Sequence, residues 1–365
     1  RVIALEATGA PGLPGFAPFE AFGEVALPAL ADDGRIFFEA RVGGAGNGDS
    51  ALFTHWNGLL TFIAAPMRTT VDGLLVTGGF EALSMGDDGR IAFVCTLLSP
   101  FGELRAIVTG APDDLGLYDD LQIAALDGQG VMDDGMQIEI DLDDVNGDAA
   151  GRMRMNAAGV IAMRVRWREP GGMESLGDAM LRWRDGALAI AARSGDALED
   201  GSGAVISAIG EATLGSSAQI LFDVETQSAR GASGTAVVVA FEGTTAVQLR
   251  SGDVLEDLDG VLRQAAEVRV PVGANPAVED GDVMSEQGRF PVRVRFTDGA
   301  EAVYVVLPQS GCPSDINGDG IVNAGDLATL LNDWGSSFPQ SDISGDGVVN
   351  AADLASLLND WGVCK

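Results

Sequence analysis

The sequence predicts a mainly β chain, a roughly five-bladed β-propeller closed by its N-terminal strand and followed by a small α-helical module. Three observations predict it. A turn followed by an apolar strand recurs five times across residues 1–308. Glycine-bearing hairpin turns separate strand-sized apolar runs. The tail repeats one pattern after 27 residues and carries apolar residues at helical spacing.

Composition sets the frame. Lys plus Arg total 22 against 54 Asp plus Glu, a formal net charge of -32 in 365 residues. A surface of that sign repels nucleic acid and anionic membranes, so neither is an expected partner. The 50 glycines and 6% aromatic content favour tight turns over long helices. No apolar run approaches the ~18 residues a membrane helix needs, so no membrane span is expected. A chain that begins at Arg1 without Met matches a processed secreted protein or a trimmed fragment. The expected location is extracellular or at the cell surface.

The repeat units come in order. Asp32-Asp33-Gly34-Arg35-Ile36-Phe37-Phe38 resembles Asp87-Asp88-Gly89-Arg90-Ile91-Ala92-Phe93. Asn156-Ala157-Ala158-Gly159-Val160-Ile161-Ala162-Met163 is a third copy. Ser216–Phe222 and Glu286–Val292 are degenerate fourth and fifth copies. Each unit continues into a hairpin. Ala51–Trp56 and Leu59–Ala64 flank Asn57-Gly58; Ala179–Arg184 and Ala187–Ala192 flank Asp185-Gly186; Thr235–Phe241 and Thr244–Arg250 flank Glu242-Gly243. Asn-Gly and Asp-Gly suit the type I′ turn, which needs positive φ twice. The fifth unit has only Ala302–Leu307 left, so Val2–Ala7 is expected to pair with it and close the ring, removing exposed sheet edges. These copies resemble the tandem-repeat family named for its Asn-x-x-Gly-x-x-Ala-Phe motif, of secreted or surface proteins of bacteria. That resemblance implies no activity.

The tail carries two calcium-type loops. Asp315, Asn317, Asp319, Gly320, Asn323 and Asp326 fall at loop positions 1, 3, 5, 6, 9 and 12. Asp342, Ser344, Asp346, Gly347, Asn350 and Asp353 repeat the set. Calcium is a hard cation wanting six to eight oxygens. Side chains at positions 1, 3, 5 and 12, with the position 7 carbonyls of Ile321 and Val348, can encircle one ion in each loop, and position 9 often acts through water. Each loop runs into a short helix. Leu327, Leu330, Leu331 and Trp334 form one apolar face, repeated by Leu354, Leu357, Leu358 and Trp361, with Gly335 and Gly362 as C′ caps.

That paired half-hand over residues 312–365 resembles the type I dockerin family. The resemblance implies two bound calcium ions and a protein partner, either a cohesin-like domain or a neighbouring copy of this chain. In the family, positions 10 and 11 of each loop carry recognition, commonly through hydroxyls; here they are Ala324, Gly325, Ala351 and Ala352. In paired half-hands the start of loop one lies near the end of helix two, so a Cys312–Cys364 disulfide is expected. The expected organisation is a repeat domain at 1–308, a linker at 309–314 and the module at 315–365.

Other residues carry less. His55 is the sole histidine, so no multi-histidine zinc site exists, and its place beside Trp56 in a strand reads as structural. Cys95 reads as a small buried hydrophobe. The run Asp141–Asp148 reads as a hairpin turn, with a further calcium loop as the alternative. Glu139, Asp141 and Asp143 alternate along one strand, followed by Arg152 and Arg154, then Arg164, Arg166 and Arg168, then Arg182 and Arg184. Period two puts each set on one sheet face. Cross-strand ion pairs are one reading; a docking strip of Arg164, Arg166, Arg168, Arg182 and Arg184 for an acidic partner is the other. No catalytic residue is assigned, since 54 acids make any carboxylate pair uninformative. The expected function is a calcium-stabilised, non-catalytic assembly or adhesion protein that docks through its tail and is open to self-assembly. The alternative is a carbohydrate-processing or carbohydrate-binding component attached by the same module.

Overall fold

The computed structural model describes residues 10, 19–22, 28–31, 34–43, 49–86, 88–133, 135–142, 153–156, 158–172, 174–198, 201–215, 219–241, 244–257, 260–271, 289–306, 314–316, 321–336, 341, 343–344 and 348–363. They fall into two compact units that divide after Ser194.

The first unit holds three antiparallel sheets. In the first sheet, β1 (Phe19–Phe22) and β2 (Ala29–Leu30) pair with opposite ends of β3 (Ile36–Val42), followed by β4 (Asp49–Trp56) and β5 (Leu59–Ala64). The second is a meander of β6 (Thr70–Val71), β7 (Leu74–Met85), β8 (Ile91–Ser99), β9 (Gly102–Gly110) and β10 (Leu121–Leu126). In the third, β11 (Gly130–Asp133) and β12 (Met136–Asp141) precede β13 (Arg154–Met155). Then come β14 (Ile161–Arg168), β15 (Gly177–Arg184) and β16 (Ala187–Arg193). The second unit adds a fourth sheet of β17 (Ala204–Leu214), β18 (Ile220–Ser228), β19 (Ser233–Phe241) and β20 (Thr244–Arg250). Its fifth sheet runs β21 (Val254–Glu256), β22 (Leu262–Arg269), β23 (Phe290–Phe296) and β24 (Glu301–Val306). Five successive propeller-type meanders, mainly β, are the architecture the sequence predicts.

Each of the five repeat copies opens the same strand of its sheet: β3, β8, β14, β18 or β23. The glycines of the first three copies explain the pattern twice over. Gly34, Gly89 and Gly159 have φ of 82, 82 and 72, the left-handed region that other residues enter at a cost. Their amides close the same turn, onto Ala31, Gly86 and Asn156 carbonyls at 2.9, 2.8 and 2.9 Å. A Cβ on Gly89 would also collide with the Arg35 guanidinium, and one on Gly159 with that of Arg90. The arginine of one turn therefore lies over the glycine of the next. The Asp-Asp-Gly-Arg sequence is thus a turn and a sheet-to-sheet contact at once. In the third copy the buried Asn156 takes over part of the turn, its Oδ1 accepting the Val160 N–H at 3.0 Å.

Packing runs from sheet to sheet. Ile91 through Cys95 are all at most 1% exposed. Ile91, Phe93 and Cys95 pack with Phe37 and Leu52 of the first sheet, while Ala92 and Val94 pack with Ile138 and Ile161 of the third. With both faces covered, β8 reads as a continuous apolar run rather than an alternating one. In the second unit Leu221, Val237 and Val239 pack against Val268, Phe290 and Val292. Burial pushes the Cys95 thiol up to about 12, so it behaves as the buried hydrophobe expected.

Two of the three expected hairpin turns form as type I′, and Glu242-Gly243 lies outside the described residues. Asn57 and Gly58 have φ of 49 and 83, and Asp185 and Gly186 repeat those values. Among the described residues, β24 has no strand on its outer edge, and its Val303 and Val305 are 66% and 69% exposed. The expected partner Val2–Ala7 lies outside the described residues. No described helix is long and apolar enough to cross a membrane.

Candidate metal centre and docking module

Two helices, α1 (Ala324–Asn332) and α2 (Ala351–Asn359), follow the two loops. Each begins with a capping box. Asn323 accepts the Gly325 N–H at 2.7 Å while Asp326 accepts the Asn323 N–H at 2.8 Å. Asn350 accepts from Ala352 at 2.7 Å while Asp353 accepts from Asn350 at 2.7 Å. The asparagine amides also donate to the Ile321 and Val348 carbonyls, each at 2.8 Å. Asn323 and Asn350 therefore shape the loop and start the helix, a role that loop spacing alone does not reveal.

The halves interlock. A short ladder joins β25 (Ile321–Val322) to β26 (Gly362–Val363), and the equivalent contact joins Val349 to Gly335 and Ser336. Val322, Leu330, Val349 and Leu357 form the buried core, with Leu327 and Leu354 packed against it. One serine stitches each loop to the opposite helix end. Ser314 Oγ donates to Asp360 Oδ2 and Ser341 Oγ to Asp333 Oδ2, both at 2.6 Å, with both serines fully buried. Their sequence signal is the 27-residue repeat itself.

Only half of each predicted apolar helix face is buried. Leu331 and Trp334 are 53% and 46% exposed, and Leu358 and Trp361 are 54% and 49% exposed. A core this small is filled by one leucine per turn, so the second leucine and the tryptophan turn outward. The helices also end earlier than the C′ caps imply. Asp333 and Asp360 cap them, and Gly335, at φ 80, lies one residue beyond C′.

The donor set fits calcium. Asp326 and Asp353 are fully buried and Asp315 is 5% exposed, and the loops add the backbone carbonyls of Ile321 and Val348. All are oxygen donors, the chemistry a hard divalent cation selects. Burial pushes the Asp353 carboxyl up. The Ser344 and Asn350 N–H groups, at 2.8 and 2.7 Å, more than offset this and hold it below its ordinary value. Asn317, Asp319, Asp342, Asp346, Cys312 and Cys364 lie outside the described residues.

The charged ladder of the third sheet is also placed. Arg168 sits among Asp127, Glu139 and Asp141 at 3.4, 3.4 and 3.8 Å. Arg166 faces Asp141 on one side and Asp178 on the other, and Arg184 pairs with Asp185 at 3.5 Å. Arg164 faces Met180 and Arg182 faces Ala162 across the β14–β15 ladder. Asp143 and Arg152 lie outside the described residues. His55 faces Ile36 and Leu60 across its two ladders.

The fold and the loops define a repeat-sheet platform carrying a calcium-loop docking module. The chain belongs to a family of unknown function, DUF7453, whose model matches residues 1–284. Residues 313–360 match the type I dockerin domain; type I dockerins bind calcium, and dockerin domains bind cohesins. Among proteins of curated function, none matches. Solved structures with similar course include an ulvan lyase of polysaccharide lyase family PL25, bound to -[GlcA(1-4)Rha3S]-. It is 11% identical, with TM-score 0.33, and the alignment covers 76% of this chain and 63% of that chain. Polysaccharide lyase Uly1 is 11% identical with TM-score 0.35, over 83% of this chain and 61% of that one. The β-propeller domain of the Trilobed protease from Pyrococcus furiosus is 9% identical with TM-score 0.29, over 79% and 81%. At these scores nothing about chemistry transfers.

Proposed function

We propose that this chain is an extracellular, non-catalytic assembly component: a five-sheet platform attached to a cohesin-class partner by a tail that folds on two calcium ions. The observation that supports it most is the equivalence of the two loops. Each carries a buried position 12 aspartate, an asparagine cap and a serine stitch to the opposite helix. The partner contact is apolar. Ala324, Gly325, Ala351 and Ala352 supply no hydroxyl, while Leu331, Trp334, Leu358 and Trp361 stand exposed.

Sedimentation velocity of the chain with type I cohesin domains tests the reading. A complex in calcium that dissociates in chelator is expected. If no cohesin binds, and the chain alone does not self-associate with calcium, the assembly role is wrong. Cys312 and Cys364 are proposed to close the module with a disulfide, worth roughly 2–4 kcal/mol. Non-reducing peptide mapping should find that pair linked and Cys95 labelled only after denaturation; free thiols at both ends would contradict it.

A further inference from the structure

The third and fourth sheets end their last strands on the same sequence, Arg193-Ser194-Gly195-Asp196 and Arg250-Ser251-Gly252-Asp253. In both, the serine oxygen accepts an N–H from the adjacent strand, of Asp178 or of Thr235, each at 3.0 Å. In both, the serine lies where a Cβ on the facing glycine, Gly177 or Gly234, would be. The residues paired with those glycines differ. Trp167 stands opposite Gly177, and Thr226 opposite Gly234. The Trp167 indole fills the third-sheet position and carries the Arg193 guanidinium 4.9 Å from its ring centre. Thr226 is far smaller, and at the fourth-sheet position a cleft of about 280 Å3 remains.

Among the residues lining the cleft are the hydroxyl-bearing Thr226, Ser228, Ser233 and Ser251, with Arg250 and Asp253. Ser228 and Ser251 accept backbone N–H groups at 3.1 and 3.0 Å, which fixes their oxygens and leaves their hydrogens to donate. Arg250 Nε lies 3.5 Å from Asp253 Oδ1, so opposite charges meet at the cleft. Leu198 adds an apolar wall. An anionic ligand would meet Asp253 and a chain of net charge -32. Mixed donors and acceptors in a cleft of this size suit a ligand with a hydroxyl on most carbons.

We infer that this cleft binds a single neutral sugar residue. Saturation-transfer NMR and calorimetry of the full chain with methyl glycosides of common neutral hexoses and pentoses, and with matching oligosaccharides, test it. At least one glycoside should bind with a dissociation constant on the order of 1 mM. Binding of the glycoside alone marks a free-sugar site; binding of the oligosaccharide as well marks a chain-end site. Thr226→Trp should weaken binding about tenfold or more. Its unfolding temperature should hold, because the third sheet already carries that Trp and Gly pair. Ser233→Tyr blocks the cleft from its exposed rim and decides the matter should Thr226→Trp fail to fold. No binding by any glycoside, or binding that survives blockage of the cleft, overturns the inference.

Discussion

Chelating calcium is expected to unfold the C-terminal module while the β-sheets stay folded. Residues 312–365 carry eight Asp and one Lys and no other charged side chain, a net -7. Among the described residues their fully buried apolar core is four residues, Val322, Leu330, Val349 and Leu357. So small a core does not hold a module against that repulsion. Asp326 and Asp353 are fully buried carboxylates, and a bound cation would offset the cost of burying them. Calcium at roughly a thousandfold above the dissociation constant adds about 4 kcal/mol per site. Limited proteolysis should therefore cut the tail in chelator and spare it in calcium. Asp326→Ala with Asp353→Ala should leave the tail cut in both. A tail equally protected in chelator would show that calcium does not fold it.

Arg269→Met is expected to destabilise the second unit by about 3–5 kcal/mol, because it strands a buried carboxylate. Arg269 bonds Asp223, Glu225 and Glu267 at 2.9, 3.3 and 3.1 Å, tying β18 to β22. Asp223 is 4% exposed and accepts the Glu211 N–H at 3.0 Å where β17 bulges around Gly210. Burial pushes the Asp223 carboxyl above its ordinary value, although Arg269 pulls it down. A carboxyl raised on folding contributes stability below its unfolded pKa and loses it as pH rises through the folded pKa. Without Arg269 that loss should grow, so the variant should be weaker at pH 8 than at pH 5. Asp223→Asn in the same chain should recover most of the loss. Thermal unfolding at both pH values checks this; a loss under about 1 kcal/mol, or one independent of pH, would mean the ion pair is incidental.

Much of this was legible before any coordinates. Ile36, Ile91, Ile161, Ile220 and Phe290 open equivalent strands in five sheets, and the first three follow the same glycine turn. Asn57-Gly58 and Asp185-Gly186 declare their turns because few other pairs tolerate positive φ twice. The loops declare themselves because calcium dictates ligand spacing. Contacts between repeats stayed hidden. Arg35 over Gly89 joins residues far apart in sequence, and a local pattern shows only that a glycine is present. Period 3.6 located the helices but not their burial, since Leu331 and Trp334 belong to the apolar stripe and still face water. The fourth-sheet cleft appears only once strand register places Thr226 opposite Gly234, where the third sheet has Trp167 opposite Gly177.

Calcium titration of the full chain by isothermal calorimetry tests the central claim most directly. Two equivalents per chain are expected, with both lost on replacing Asp326 and Asp353 together. A single equivalent, or two that survive that replacement, would contradict a tail folded on two calcium ions.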